Sequence, residues 1–311
     1  MSIITLWNSD RDQSGVTIST VAIATKMAIE RNLRVLIIST AYNDLTIKNC
    51  FWKDNSVKKR IMQGKSIAVE NGVEGLSRLI TSNKIEPSSI TDYTHVIFKN
   101  TLEILDGYVG NSEKTNEQNI IDYKNVSQVY PALITSANQY YDMVFVDLSR
   151  ELDEKIQDEI LEMSNLNIYI ATQKITSLDK YLEMRNQKTM LKGPKNLIIV
   201  GRYNGHTKFN RNNLQKYLGE KKELMVVPYN TLLFEAAEET TVVDMFLRLS
   251  RIKDTSDTNY IFMEEIRKIV DKIIERLKEL QVRMRWGYVN FQFIINYFSF
   301  YNSNNIYFLL C

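Results

Sequence analysis

Short continuous apolar runs alternate along the chain with longer stretches in which apolar residues recur every three or four positions. The runs are Ile3–Trp7, Leu33–Ile38, Leu102–Leu105, Met143–Asp147, Leu166–Ala171, Leu197–Val200 and Leu224–Val227. Runs such as Leu33–Ile38 carry Val and Ile without polar alternation, as expected of strands buried on both faces of a parallel sheet. Helical periodicity is predicted between them, over about 19–31, 128–139, 154–163, 176–191, 210–218 and 231–238. In the first of these, Val21, Ala24, Met27 and Ala28 share a face. Strands separated by helices of this length predict right-handed βαβ crossovers. The expected fold class is therefore α/β, a mostly parallel sheet flanked by helices, over residues 1–250.

Three segments depart from this rhythm. Residues 51–100 are predicted to be a mostly helical insertion over one sheet edge, with Lys58, Lys59 and Arg60 on a solvated face. Residues 110–125 are polar and predict a loop. Residues 260–285 predict a long C-terminal amphipathic helix, with Ile266, Ile269, Val270, Ile273, Leu277, Leu280 and Met284 on its apolar stripe. That stripe is expected to pack on the sheet or on a sister helix, with docking to a partner as the alternative. The mixed signs of its polar face argue against a membrane surface. Beyond it, 286–311 has no charged residue and is crowded with Phe, Tyr and Asn. The asparagines interrupt it too often for a membrane span. This tail either packs on a partner or is foreign to the native chain, as a shifted reading frame near residue 282 would make it.

Composition narrows the function classes. At 311 residues and 44% hydrophobic content the chain can bury a sizeable core. A net charge of +2 sets up no strong field, so DNA is not an expected partner. Cys50 and Cys311 show neither metal spacing nor a disulfide framework, which fits a reducing cytoplasm. His95 and His206 stand without ligand-spaced companions, and no Gly-x-Ser-x-Gly elbow occurs. Zinc chemistry and the common serine hydrolases are set aside.

The first strand-to-helix loop is the usual phosphate site of an open α/β sheet. Here it reads Asp10-Arg11-Asp12-Gln13-Ser14-Gly15-Val16-Thr17-Ile18-Ser19-Thr20. This resembles the deviant Walker A loop, K-G-G-V-G-K-T-T, of the ParA/MinD-like (SIMIBI class) P-loop ATPases. Gly15, Val16, Ser19 and Thr20 match, or nearly match, that pattern. Gln13 and Ile18 replace its two lysines, Ser14 its first glycine and Thr17 its third. Further pieces follow in the family's order. Tyr141–Asp147 resembles the strand Y-D-x-V-x-V-D. Thr172–Leu178 resembles T-x-P-x-x-x-S-L without its proline. Val200-Gly201-Arg202-Tyr203 stands for V-N-R-Y, and Val227-Pro228-Tyr229-Asn230 for I-P-Y-D/N.

The resemblance implies a P-loop NTPase fold of the deviant Walker A type and face-to-face homodimers. It implies ATP and Mg²⁺ as cofactors, with Gln13, Ser14, Gly15, Val16, Thr17, Ile18, Ser19, Thr20, Arg202, Pro228 and Tyr229 about the nucleotide and Ser19 and Asp147 on the metal. The departures fall on the chemistry. A loop lysine normally offsets phosphate charge, and Ile18 cannot. The family's D-x-D after the second strand is Ser39-Thr40-Ala41, with Asp44 the nearest carboxylate. Its adenine-contacting Asn is Gly201. The expectation is a degenerate member, closest in character to the TadZ-like atypical proteins, acting as a positioning or scaffold factor for pilus or secretion machinery and recruiting a protein partner. The alternative is a slow ATPase of plasmid or chromosome partitioning, with Arg11 or a partner residue as substitute cation.

Overall fold

A computed structural model describes residues 1–10, 13–52, 72–220 and 223–305, with side chains described through 282. Arg11, the Lys58-Lys59-Arg60 cluster and the tail's side chains lie outside the described residues. In chain order the elements are β1 (Ser2–Trp7), α1 (Val16–Arg31), β2 (Val35–Ser39), α2 (Thr46–Asn49), α3 (Val73–Thr81), β3 (His95–Phe98), β4 (Leu102–Leu105), α4 (Asn116–Ser127), α5 (Tyr130–Ala137), β5 (Met143–Leu148), α6 (Glu154–Met163), β6 (Leu166–Ala171), α7 (Ile175–Gln187), β7 (Asn196–Tyr203), α8 (Arg211–Leu218), β8 (Met225–Pro228), α9 (Thr231–Glu239), α10 (Val242–Leu249) and α11 (Thr258–Asn305).

The strands form one eight-stranded sheet in the order β3-β4-β2-β5-β1-β6-β7-β8. Its pairings are parallel except β3–β4. Every residue of β1, β2 and β6 is buried, which accounts for their mostly apolar sequence, with Thr5 and Asn167 as buried polar exceptions inside β1 and β6. Helices cover both faces. On one, α1, α9, α10 and α11 close a core containing Val21, Met27, Phe246 and Ile266. On the other, α3 to α8 close a core containing Leu76, Tyr130, Ile160 and Leu178. Register brings three strand ends together: Leu6 of β1 and Ser39 of β2 both lie opposite Asp147 of β5.

Three elements depart from the expected pattern. His95–Phe98 is an antiparallel edge strand whose Val96 and Phe98 are exposed, so it lacked the apolar run that marked the others. The expected loop at 110–125 contains most of α4. A capping box starts that helix: Thr115 accepts from the Gln118 backbone and the Gln118 side chain accepts from the Thr115 N–H. Only Tyr123 and Val126 give it apolar anchorage, too few for a visible period. The expected helix at 128–139 is α5, distinct from α4, and α10 is a helix that the pattern did not mark.

The stripe of α11 faces the core. Ile266, Ile269, Val270, Ile273 and Leu277 are buried, and the helix packs on α1 and β8. No described helix is long and apolar enough to cross a membrane.

Candidate functional site

The chain leaves β1 through Asn8, whose amide donates to the Ile170 carbonyl of β6 at 2.5 Å and whose carbonyl oxygen accepts from the Asp10 N–H. It then turns into α1 at Gly15, which has φ +81° and ψ 34°. A side chain is strained in that left-handed region, so glycine is needed at the turn. Gly15 is also the N-cap of α1. No side chain caps the helix and no acidic residue sits in its first turn, which leaves first-turn N–H groups available to an anion.

Above this loop lies a cleft of about 430 Å³, at the carboxyl ends of β1, β2 and β5. Gln13 through Ile18 line it, with Ala41, Asp44, Asp147, Arg150 and Arg202. Ser14 is buried, and Val16 and Ile18 pack partly into the core beneath α1. Ser19 and Thr20 are buried below the cleft floor. The Thr20 hydroxyl donates to the Val16 carbonyl at 3.0 Å. The Ser19 Oγ has no hydrogen-bond partner among the described residues. Pro228 and Tyr229 stand at the end of β8 outside the lining residues, where the Tyr229 N–H donates to the Tyr203 carbonyl at 3.0 Å.

Asp147 is 6% exposed, and its Oδ2 accepts from the Thr17 hydroxyl at 2.9 Å. Burial raises its pKa from 3.8 to about 7, and the Asp44 charge adds to the rise. The Thr17 and Thr20 hydroxyls oppose it. Thr20 counts for less, because its proton is engaged with Val16 in this geometry. Thr40 fixes the strand end that carries Asp147: its N–H and hydroxyl donate to the Asp147 carbonyl at 3.2 and 3.0 Å, and its Oγ accepts from the Ser149 N–H at 2.8 Å. Sequence reasoning assigned Thr40 no role. Its hydroxyl at a strand end was the available signal.

The residues fit a hydrated divalent cation beside a phosphate group. The buried Ser19 hydroxyl, without a partner among the described residues, belongs to the first turns of the uncapped helix α1, and the Asp147 carboxylate at the end of β5 meets the same turn at Thr17. Magnesium is a hard cation that takes such oxygen ligands together with water and phosphate oxygens. Ala41 brings no carboxylate to the cleft, but Asp44 lines it after all, held by the Thr46 N–H at 2.8 Å. Gly201 has a packing reason. A Cβ there would lie 2.2 Å from the Ser14 carbonyl oxygen and 2.7 Å from Ile170 Cγ2, so the loop itself occupies the space of a side chain.

A second hollow of about 490 Å³ opens at the amino ends of β7 and β8. It lies at the opposite end of the sheet from the phosphate loop, and its arginines Arg185 and Arg276 are paired with Glu220 and Glu279. Ligands of open α/β sheets bind at the carboxyl ends of the strands, which favours the loop cleft.

Neither a family model nor a curated protein sequence matches the chain. Solved structures do. A ParA family ATPase from Chlorobium tepidum TLS superposes with a TM-score of 0.60 at 15% identity, covering 88% of this chain and 98% of that one. The septum site-determining protein MinD from Pyrococcus horikoshii OT3, complexed with Mg-ADP, gives 0.58 at 17% identity over 88% and 97%. A structure from Borrelia burgdorferi B31, described as a plasmid partition protein bound to AMPPNP, gives 0.52 at 17% identity over 91% and 99%. The chain thus has the fold of the ParA/MinD-type P-loop NTPases, over nearly the full length of those proteins.

Proposed function

We propose that this protein binds an adenine nucleotide with Mg²⁺ in the loop cleft and acts as a positioning or scaffold factor for a larger cellular machine, with hydrolysis slow or lost. The observation that carries this reading is the uneven survival of the site. The metal side keeps Ser19, with its unpartnered hydroxyl, and Asp147. The phosphate side has Ile18 in the lysine's place, packed partly into the core. Ser19 and Asp147 would hold the cation, which supplies positive charge to the phosphate oxygens. The Gly15 turn and the start of α1 would cradle a phosphate through backbone N–H groups. Without a loop lysine, charge built up during phosphoryl transfer is poorly offset.

The Mg-ADP and AMPPNP complexes of proteins with this fold support a nucleotide in the cleft. The ParA and MinD descriptions support a role in partitioning or positioning. One observation favours slow turnover over none: Asp44 lines the cleft near enough to Asp147 to raise its pKa, so a second carboxylate is at hand to orient water.

The test is ATP binding and turnover with Mg²⁺, beside an Ile18→Lys variant. Binding without turnover, with turnover gained in the variant, supports the scaffold reading. Turnover in the unmodified protein favours the partition ATPase. Absence of binding in both overturns the nucleotide reading.

A further inference from the structure

We propose that Arg202 is the phosphate-neutralising cation of this site, supplied from β7 within the same chain in place of the missing loop lysines. The proposal rests on the nucleotide-binding reading above and names the residue that makes it electrostatically workable.

Four observations converge. First, Arg202 lies directly over the loop. A Cβ built on Gly15 would meet its Cγ at 3.2 Å and its Nε at 3.5 Å, and its guanidinium donates to Gln13 Oε1 at 3.3 Å. Gln13 occupies the place of the family's first lysine, so the arginine's charge reaches the position where a lysine's charge is absent. Second, the backbone is bent to put it there. Arg202 has φ +47°, a conformation costing a branched-out side chain about 1–2 kcal/mol. The preceding Gly201 lies so close to the Ser14 carbonyl that a Cβ there would sit 2.2 Å from its oxygen, so the end of β7 runs directly against the loop.

Third, the guanidinium makes no ion pair among the described residues. Of the other described cations near the cleft, Lys180 pairs with the Asp10 carboxylate at 3.1 Å, and Arg150 donates to the Asp10 carbonyl at 3.2 Å, away from Gly15 and Gln13. Fourth, the cleft needs a cation. Asp10, Asp44, Asp147 and Glu151 line it against Arg150 and Arg202. A polyphosphate entering that field requires a local positive group besides its own metal. A planar guanidinium suits the task, since it can give two parallel hydrogen bonds to phosphate oxygens.

The test is a titration of the full chain with mant-ATP and Mg²⁺, with ATP and adenosine as competitors. Wild type is compared with Arg202→Asn and Arg202→Lys. Asparagine tolerates the left-handed backbone, so the neutral variant is expected to fold, and a thermal melt checks this. The expected result is a loss of about ten- to hundredfold in ATP affinity for Arg202→Asn, with adenosine affinity unchanged and partial recovery in Arg202→Lys. The salt dependence of ATP binding should also flatten when the charge is removed. Unchanged ATP affinity in Arg202→Asn overturns the proposal and leaves the nucleotide reading standing. Equal loss for ATP and adenosine overturns it in favour of a purely structural arginine. Absence of mant-ATP binding by the wild type removes both.

Discussion

Asp147 is buried at the ends of β1, β2 and β5, whereas the metal role proposed for it would need it ionised. Its pKa is raised from 3.8 to about 7, chiefly by burial. Across that window the folded chain holds a proton that the unfolded chain has released. Stability therefore falls as pH rises from about 4 to about 7, and levels off above. Replacing Asp147 by Asn removes the effect. Without nucleotide or Mg²⁺, Asp147→Asn should gain about 2–3 kcal/mol over wild type between pH 5 and pH 8 in urea unfolding. A constant difference across pH would show that the carboxylate is ionised throughout. Gly201 offers a second residue-scale test. Its missing side chain is filled by the Ser14 carbonyl, so Gly201→Ala must push the loop away. A loss of about 1–3 kcal/mol in a thermal or urea melt is expected, together with weaker nucleotide binding. Wild-type stability and affinity would mean that the loop shifts freely.

At the scale of elements, the sheet rests on helices whose apolar faces are unequal in strength. Helix α11 is firmly seated on one side, with Ile266, Ile269, Val270 and Ile273 each at most 1% exposed. Ile273→Ala should cost about 2–5 kcal/mol, read as a drop in the urea midpoint. A change below about 0.5 kcal/mol would mean that α11 is not docked as described. The same contrast in burial explains what could be read from sequence. The central strands were legible because burial on both faces leaves an apolar run, and α11 because its stripe repeats over several turns. The edge strand His95–Phe98 was not, because its residues are half-buried or exposed in alternation. Helix α4 was not, because a capping box and only two buried apolar residues, Tyr123 and Val126, hold it rather than a stripe. The loop and Asp147 were legible through their motifs. The contact of Arg202 with Gly15 was not, because it depends on a backbone turn and on packing between residues far apart in the chain.

At the scale of the whole molecule, the cleft opens on the same end of the sheet as the segments that follow β7 and β8. Those segments carry exposed rings, with Phe209 at 45%, Tyr229 at 58% and Phe234 at 54% exposure. Large apolar side chains left in solvent at the end of the sheet where the cleft opens suit the centre of an interface better than a free surface. A stable interface needs about 800 Å² from each partner, and a net charge of +2 offers little repulsion between copies. We therefore expect two copies to meet through this face when nucleotide fills the cleft. Sedimentation velocity with Mg²⁺ and a non-hydrolysable ATP analogue should show the mass double, and Phe234→Asp should hold the protein monomeric while leaving nucleotide affinity within about twofold of wild type. A monomer under all conditions would direct the exposed rings to a different protein partner. A dimer indifferent to both nucleotide and Phe234→Asp would place the contact elsewhere on the molecule. Only the nucleotide-dependent dimer links the charge balance of the cleft to assembly, because it makes the ligand's phosphates part of what the two faces bury.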